Sequence, residues 1–428
     1  MSDTLDSTAA ASTPLLHSLR AYPAYRTLFN STLATNGAYW MWMMAGGWLA
    51  LDLTDSAFFV GLTGFAAGIP MLIFTLPAGV LLDRFDRRRI LLAAQAVVTV
   101  ISTIVVFLLF LDMMAPWHLL IASFGAGTAM SFVFPARNAL VANLVPAKHL
   151  ANAIALNSAG QNSTRVVGPA LAGPFIAAAG LPYTFLICMV LQIAAMFVTV
   201  RLPTTLPVVG SGARRTMWGS IGDGLRVIGR NRYLTGIFIL AAVPTVFFMS
   251  YSNLLPVFAR DVFGIGSVGL GLMMAMNGLG GVIGALIVAG LPRLTNRPGV
   301  LLWTATGFGL IILGFSRVMA VFPALVLIFL AGLVSAVYMA INNTEIQLAV
   351  DDSVRGRVLG VYLFTWGLLP LGVLPAGILA GRFGAPLATS TMAMVGLVFI
   401  IVTMLRFPSL RGSAASPAVV TSPEAQRS

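Results

Sequence analysis

LPAGVLLDRFDRRRILL, residues 76–92, packs six charged side chains into the seven positions from Asp83 to Arg89, in a chain that is only 9% charged overall. An uncharged, mostly apolar run of more than twenty residues lies on each side of it. A soluble globular protein carries about 25% charged residues. This chain of 428 residues, 58% of them hydrophobic, lacks the charge to cover a water-facing surface. Each flanking run is long enough to cross a bilayer, which takes about 20 residues at about 1.5 Å of rise each. Lipid offers no partner to a bare backbone amide, so such runs must be helices. The charged knot is then a short loop between two membrane spans.

Counting outward from that loop gives twelve candidate spans, at 27–51, 57–82, 90–111, 117–143, 150–179, 182–201, 233–259, 267–291, 299–316, 321–344, 357–380 and 385–407. The expected fold class is an all-α polytopic membrane protein. The linkers are short except 202–232, a loop rich in Pro, Gly, Ser and Arg. It separates a first six-helix bundle, 27–201, from a second, 233–407. Residues 1–26 and 408–428 read as tails, disordered at their ends. The N-terminus lacks the basic-then-apolar layout of a cleaved signal. With that terminus in the cytoplasm, 20 of the 25 Lys and Arg residues fall in cytoplasmic segments. Only Arg260, Arg317 and Arg382 fall outside, and Arg137 and Arg165 lie within spans. This asymmetry puts both termini in the cytoplasm of a plasma (inner) membrane. The net charge of +12 is therefore a topology signal, not a nucleic-acid surface. A single cysteine, Cys188, excludes an intramolecular disulfide framework. No Walker loop, catalytic triad or metal cluster is present in the sequence, so neither an enzyme nor a cofactor is expected.

The two halves also resemble each other. Asn138 and Asn343, Val145 and Val350, and Asn152 and Arg357 correspond at one offset of 205. GPALAG (168–173) corresponds to GVLPAG (372–377) one residue out of step. Two parallel six-helix repeats suggest a transporter with its site between them.

Gly79, three apolar residues, Asp83, Arg84, then Arg87 and Arg88 resembles the loop 2–3 signature of the major facilitator superfamily, Gly-x-x-x-Asp-Arg-x-Gly-Arg-Arg, with Asp86 in place of glycine. That replacement is common in the branch similar to the enterobactin exporter and the macrolide efflux proteins. TDSAFFVGL (54–62), FPARNALVANLVP (134–146), NSTRVVGPALAG (162–173) and RGRVLGVY (355–362) extend the resemblance over nearly all of residues 20–407. It implies two six-helix bundles and export of a small amphipathic molecule (a drug, siderophore or metabolite) by alternating access, coupled to protons or another ion, by a monomer. An importer or symporter on the same fold is the alternative, and a transporter-like sensor that moves nothing is the third reading. The first two differ in the sign of energised flux.

Candidate functional residues follow. A carboxylate at the end of span 2 can accept N–H bonds from a helix N-terminus. The resemblance implies that this helix is span 11, so Gly79, Asp83, Arg84, Arg87 and Arg88 form a conformational latch. Arg87 to Arg89 are expected to meet carboxylates or anionic headgroups. In span 5, Arg165, Gly168, Pro169 and Gly173 resemble the superfamily's antiporter motif. Arg165 lies near the midplane, where a charge costs several kcal/mol unless paired or hydrated. The resemblance also implies that spans 1, 4, 7 and 10 line the path, with spans 2, 5, 8 and 11 beside them. That makes Asn36, Tyr39, Trp40, Gln161, Tyr251, Asn253, Asn277, Tyr338, Asn342, Asn343 and Trp366 the candidate cavity, semi-polar and aromatic. Glu345, expected to face Arg293 or Arg357, is the carboxylate candidate for coupling.

Overall fold

The computed structural model describes residues 16–204, 217–291 and 298–411, and these form helices joined by short turns. The first half comprises α1 (Pro23–Thr54), α2 (Ala57–Arg84), α3 (Arg87–Phe110), α4 (Pro116–Leu144), α5 (Ala147–Ala179) and α6 (Leu181–Val200). The second comprises α7 (Arg232–Val262), α8 (Gly266–Gly290), α9 (Pro298–Phe315), α10 (Val321–Leu348), α11 (Val354–Phe383) and α12 (Ala385–Arg406). Nine of these are long and apolar enough to cross a membrane by length and composition. α9 is apolar but shorter. α1 and α5 carry polar runs, NSTLATN (30–36) and NSAGQNSTR (157–165), that dilute their apolar character. The expected tails and Arg293 and Arg297 lie largely or wholly outside the described residues.

Turn chemistry explains the charged knot. The Asp86 carboxylate accepts the Arg88 amide at 2.9 Å and caps the start of α3. An acid therefore does here what a glycine could not. Gly180 and Gly384 occupy equivalent turns in the two halves, each with positive φ (90° and 83°) and each followed by x-Pro at a helix start. Two helices are interrupted. In α7, Pro244 opens a π-helical turn, Pro244–Phe248. α11 breaks at Gly367–Leu368. The long linker is not wholly loop: it contains an amphipathic helix, Met217–Arg230, that packs on the start of α11 through Asp223 and Arg357 (3.9 Å). Its polar stripe masks its apolar one when read as a loop.

Each half packs mainly within itself. The seam between them is made by α5 on α8, α2 on α11, and α1 and α2 on α7. Call the end carrying Asp83 and the linker helix the linker face, and the other the far face. The far side of the seam is closed by glycines. A Cβ on Gly61 would stand 2.5 Å from Gly377 Cα, and one on Gly173 would stand 2.6 Å from the Ser267 carbonyl. The two contacts are repeat-related, and small residues of this kind let helix backbones touch. Gly47 meets Pro256 in the same layer. Beyond them, Arg260 donates to the Asp55 carboxylate and to the Leu51 carbonyl (3.1 Å), tying α7 to the end of α1.

At the linker face, Asp83 is exposed and bonds to no described residue. Arg87 and Arg88 work within the first half. Arg87 donates to Asn143 Oδ1 at 2.8 Å, and Arg88 donates to the Val200 carbonyl. Both cations thus sit at helix C-terminal ends, where carbonyl dipoles are bare. Arg89 is exposed, 3.9 Å from Asp86. Overpacking a close contact costs about 1–3 kcal/mol. Gly377→Val should therefore shift the population roughly ten- to hundred-fold away from the far-face-sealed arrangement. The readout is faster labelling of Asn253→Cys by an impermeant maleimide from the far side, in a Cys188→Ala background.

Candidate functional site

Arg165 sits midway along α5, where the seam begins to close. Its guanidinium donates to Asn277 Oδ1 of α8 at 3.1 Å and lies over the Trp40 ring of α1, 5.3 Å from its centroid. Asn277 in turn donates to the Tyr251 hydroxyl of α7 at 2.5 Å. One charge is thus held by both halves, and every group that holds it is neutral. One turn on, Gly168 packs on α1, where a Cβ would stand 3.0 Å from Trp40 Cβ. The Pro169 carbonyl faces Gly271 of α8, and the Ser267 hydroxyl donates to the Gly173 carbonyl at 3.1 Å. The Gly-Pro-x-x-x-Gly run therefore serves close packing on two neighbours. α5 stays continuous through it, without the break a proline permits.

On the other side of Trp40 lies a cavity of about 210 Å³. Its walls are Tyr39, Trp40, Trp42 and Met43 of α1, Gly64 to Met71 of α2, Ile101 and Ser102 of α3, Met130 and Phe134 of α4, Gln192 and Cys188 of α6, Ser252 and Asn253 of α7, and Trp366 to Val373 of α11. The two helix interruptions bring their residues here. Ser252 and Asn253 follow the π turn of α7, and Trp366 and Leu369 flank the break in α11. Tyr39 makes edge contacts with both Trp40 (5.4 Å) and Phe134 (5.9 Å), so the three rings form one wall. Behind Phe134 lies Arg137, 2% exposed, its guanidinium 5.2 Å from the ring and donating to Asn36 Oδ1 at 3.0 Å.

The expected cavity residues divide accordingly. Tyr39, Trp40, Asn253 and Trp366 line it. Tyr251 and Asn277 belong to the Arg165 bridge. Asn36 is buried against Arg137. Gln161 lies a turn from Arg165 on the linker side and outside the lining. The three α10 candidates are corrected. Tyr338 donates to the Leu240 carbonyl and Asn342 to the Ile237 carbonyl (3.3 Å), both buried, while Asn343 accepts from Gln347. The polarity of Tyr338 and Asn342 serves the α7–α10 contact, and that of Asn343 is spent within α10. Glu345 is also buried in that contact, accepting from the Tyr233 hydroxyl at 2.7 Å. Arg357 meets Asp223 instead of Glu345, and Arg293 lies outside the described residues. Gln192 was missed. It is 2% exposed and pairs with no described side chain, and a lone amide in an apolar span was the signal.

A family profile described as "Transmembrane secretion effector" matches residues 13–426. The chain belongs to that family, within the major facilitator superfamily, and is a membrane transporter. It is 27% identical over 383 residues to a staphyloferrin A transporter of Staphylococcus aureus, covering 88% of this chain and 94% of that one. It is 26% identical over 421 residues to the enterobactin exporter EntS of Salmonella typhimurium, covering 94% and 96%. It is 23% identical over 341 residues to macrolide efflux protein A of Streptococcus pyogenes, covering 78% and 83%. The fold is that of a bacterial homologue of the human lysosomal transporter Spinster (TM-score 0.69, 14% identity, 92% of this chain and 98% of that one).

The Arg165–Asn277 bond should show as coupling. Arg165→Ala and Asn277→Ala should together cost less than the sum of the two, with an interaction of about 1–2 kcal/mol in unfolding of the purified protein. Strict additivity would mean that the two side chains do not share a bond.

Proposed function

We propose that the chain exports small amphipathic molecules across the inner membrane by alternating access, with both termini in the cytoplasm. The observation that carries this reading is the one-sided seam. The halves are tied at and beyond Arg165 and at the far face, while the expected latch at Asp83 is undone. The basic residues cluster at the linker face, which supports assigning that face to the cytoplasm. This arrangement is then the inward-open state, in which an exporter loads. Two of the relatives are an exporter and an efflux protein by name, which supports the outward direction.

In the opposite state the linker faces approach. The Asp83 carboxylate then meets the N-terminal end of α11, and the glycine contacts and the Asp55–Arg260 tie open. Coupling to protons runs through Glu345, a buried carboxylate with one hydroxyl partner, set where α7 and α10 meet. Accumulation of anionic, neutral and cationic dyes in cells lacking their own pumps tests the reading. Lower accumulation that an uncoupler abolishes is expected, and higher accumulation with the protein would make it an importer.

Two substitutions bear on the parts. Asp83→Asn should lower turnover about tenfold with insertion intact, the scale of one charge-assisted contact. Glu345→Gln should remove the response of flux to an imposed pH gradient and leave exchange of substrate for substrate running. Unchanged pH response would take the coupling role from this residue.

A further inference from the structure

We infer that the cavity selects a small, water-soluble organic anion with an apolar or aromatic body and repels organic cations, an inference that rests on reading this cavity as the transport site. Its aromatic wall is backed at both ends by cations, Arg137 buried and Arg165 half-buried. Arg165 stands over Trp40, Arg137 stands over Phe134, and Tyr39 bridges the two rings.

No carboxylate offsets these charges. Of the acids whose side chains are described, Asp52, Asp55, Asp112 and Asp261 lie at the far face, and Asp83, Asp86, Asp223, Glu345 and Asp351 at the linker face. The bonds of both arginines go to neutral amides, and Nε and Nη2 of Arg137 find no partner among the described residues. A buried charge without a counter-charge is costly. Two cations beside one cavity, in a medium that screens poorly, leave the cavity at positive potential. A ring that already holds a guanidinium on one face is a poor platform for a second cation on the other. The same rings, with Met43, Met130 and Ile101, accept an apolar body, and the Gln192 and Asn253 amides meet its polar edge.

The probes are 1-pyrenebutyrate and 1-pyrenebutyl-trimethylammonium, which share a body and differ in charge. Binding to the purified full chain in neutral detergent is read by energy transfer from tryptophan. The anion should bind about a hundredfold more tightly, because one charge at about 10 Å in a protein-like medium favours the anion and disfavours the cation by about tenfold each. Arg165→Gln should bring the two probes within about threefold, and Arg165→Lys should keep the preference. Equal or tighter binding of the cation overturns the proposal, as does binding of neither probe by the folded protein, or an unchanged preference in Arg165→Gln. Displacement of the anion by phosphatidylglycerol but not phosphatidylcholine would assign the charge to a lipid headgroup and overturn a soluble ligand. Binding carries no direction. Anion selectivity without efflux would sink the export reading alone, and efflux with cation preference would sink this inference alone.

Discussion

A guanidinium in the middle of a bilayer persists only where the protein replaces the water it has lost. Arg165 meets that demand with an indole from the first half and an amide from the second. The two halves therefore cannot separate at this level without stripping a half-buried charge of one partner. In the proposed cycle they pivot about it. The glycine contacts toward the far face and the charged knot at the linker face are both surfaces on which such a pivot would act. Backbone-to-backbone contact between glycines holds without locking, because it contributes dispersion and little electrostatics.

The reading of the cavity as an anion site gives the charge a second use. With the inside of the cell negative, each negative charge moved outward gains about 2.3 kcal/mol per 100 mV. An anionic substrate would bring part of its own driving force, and the transporter would need less from a titrating side chain. That fits a bundle whose acids stand at its two faces, with Glu345 the buried one near the linker face. It also gives Trp40 and Phe134 a clear division of labour. One face of each ring satisfies an arginine, and the other meets the cavity.

Much of this was legible in the amino-acid order. Spans, loops and the two-fold repeat follow from apolar run length and from where arginine falls, and both are local properties. Asp86 stood out as an acid in place of the loop signature's glycine, and only the structure shows it capping a helix. Arg165 and the Gly168–Gly173 run stood out as a charge and small residues inside a span. What periodicity does not carry is which helix faces which. The partner of Arg165 is 112 residues away, and nothing local to Asn277 announces it. The same limit misplaced Tyr338 and Asn342, whose polarity serves the α7–α10 contact, and Asn343, which bonds within α10. It also left Gln192 and the α6 wall unseen, because a general scheme of lining helices took the place of the actual seam. The π turn at Pro244 and the break at Gly367 had their cues in proline and glycine, yet neither residue says how far a helix will bend.

The most direct measurement is a pair of spin-label distances in liposomes, in a Cys188→Ser background. One pair, at Phe58 and Phe383, reports the far face, and the other, at Phe85 and Gly356, reports the linker face. The account predicts two populations in which the distances move oppositely, the far pair lengthening as the linker pair shortens when bound substrate or an imposed gradient is changed. Two distances that stay fixed, or that lengthen together, would contradict a transporter that rocks about Arg165.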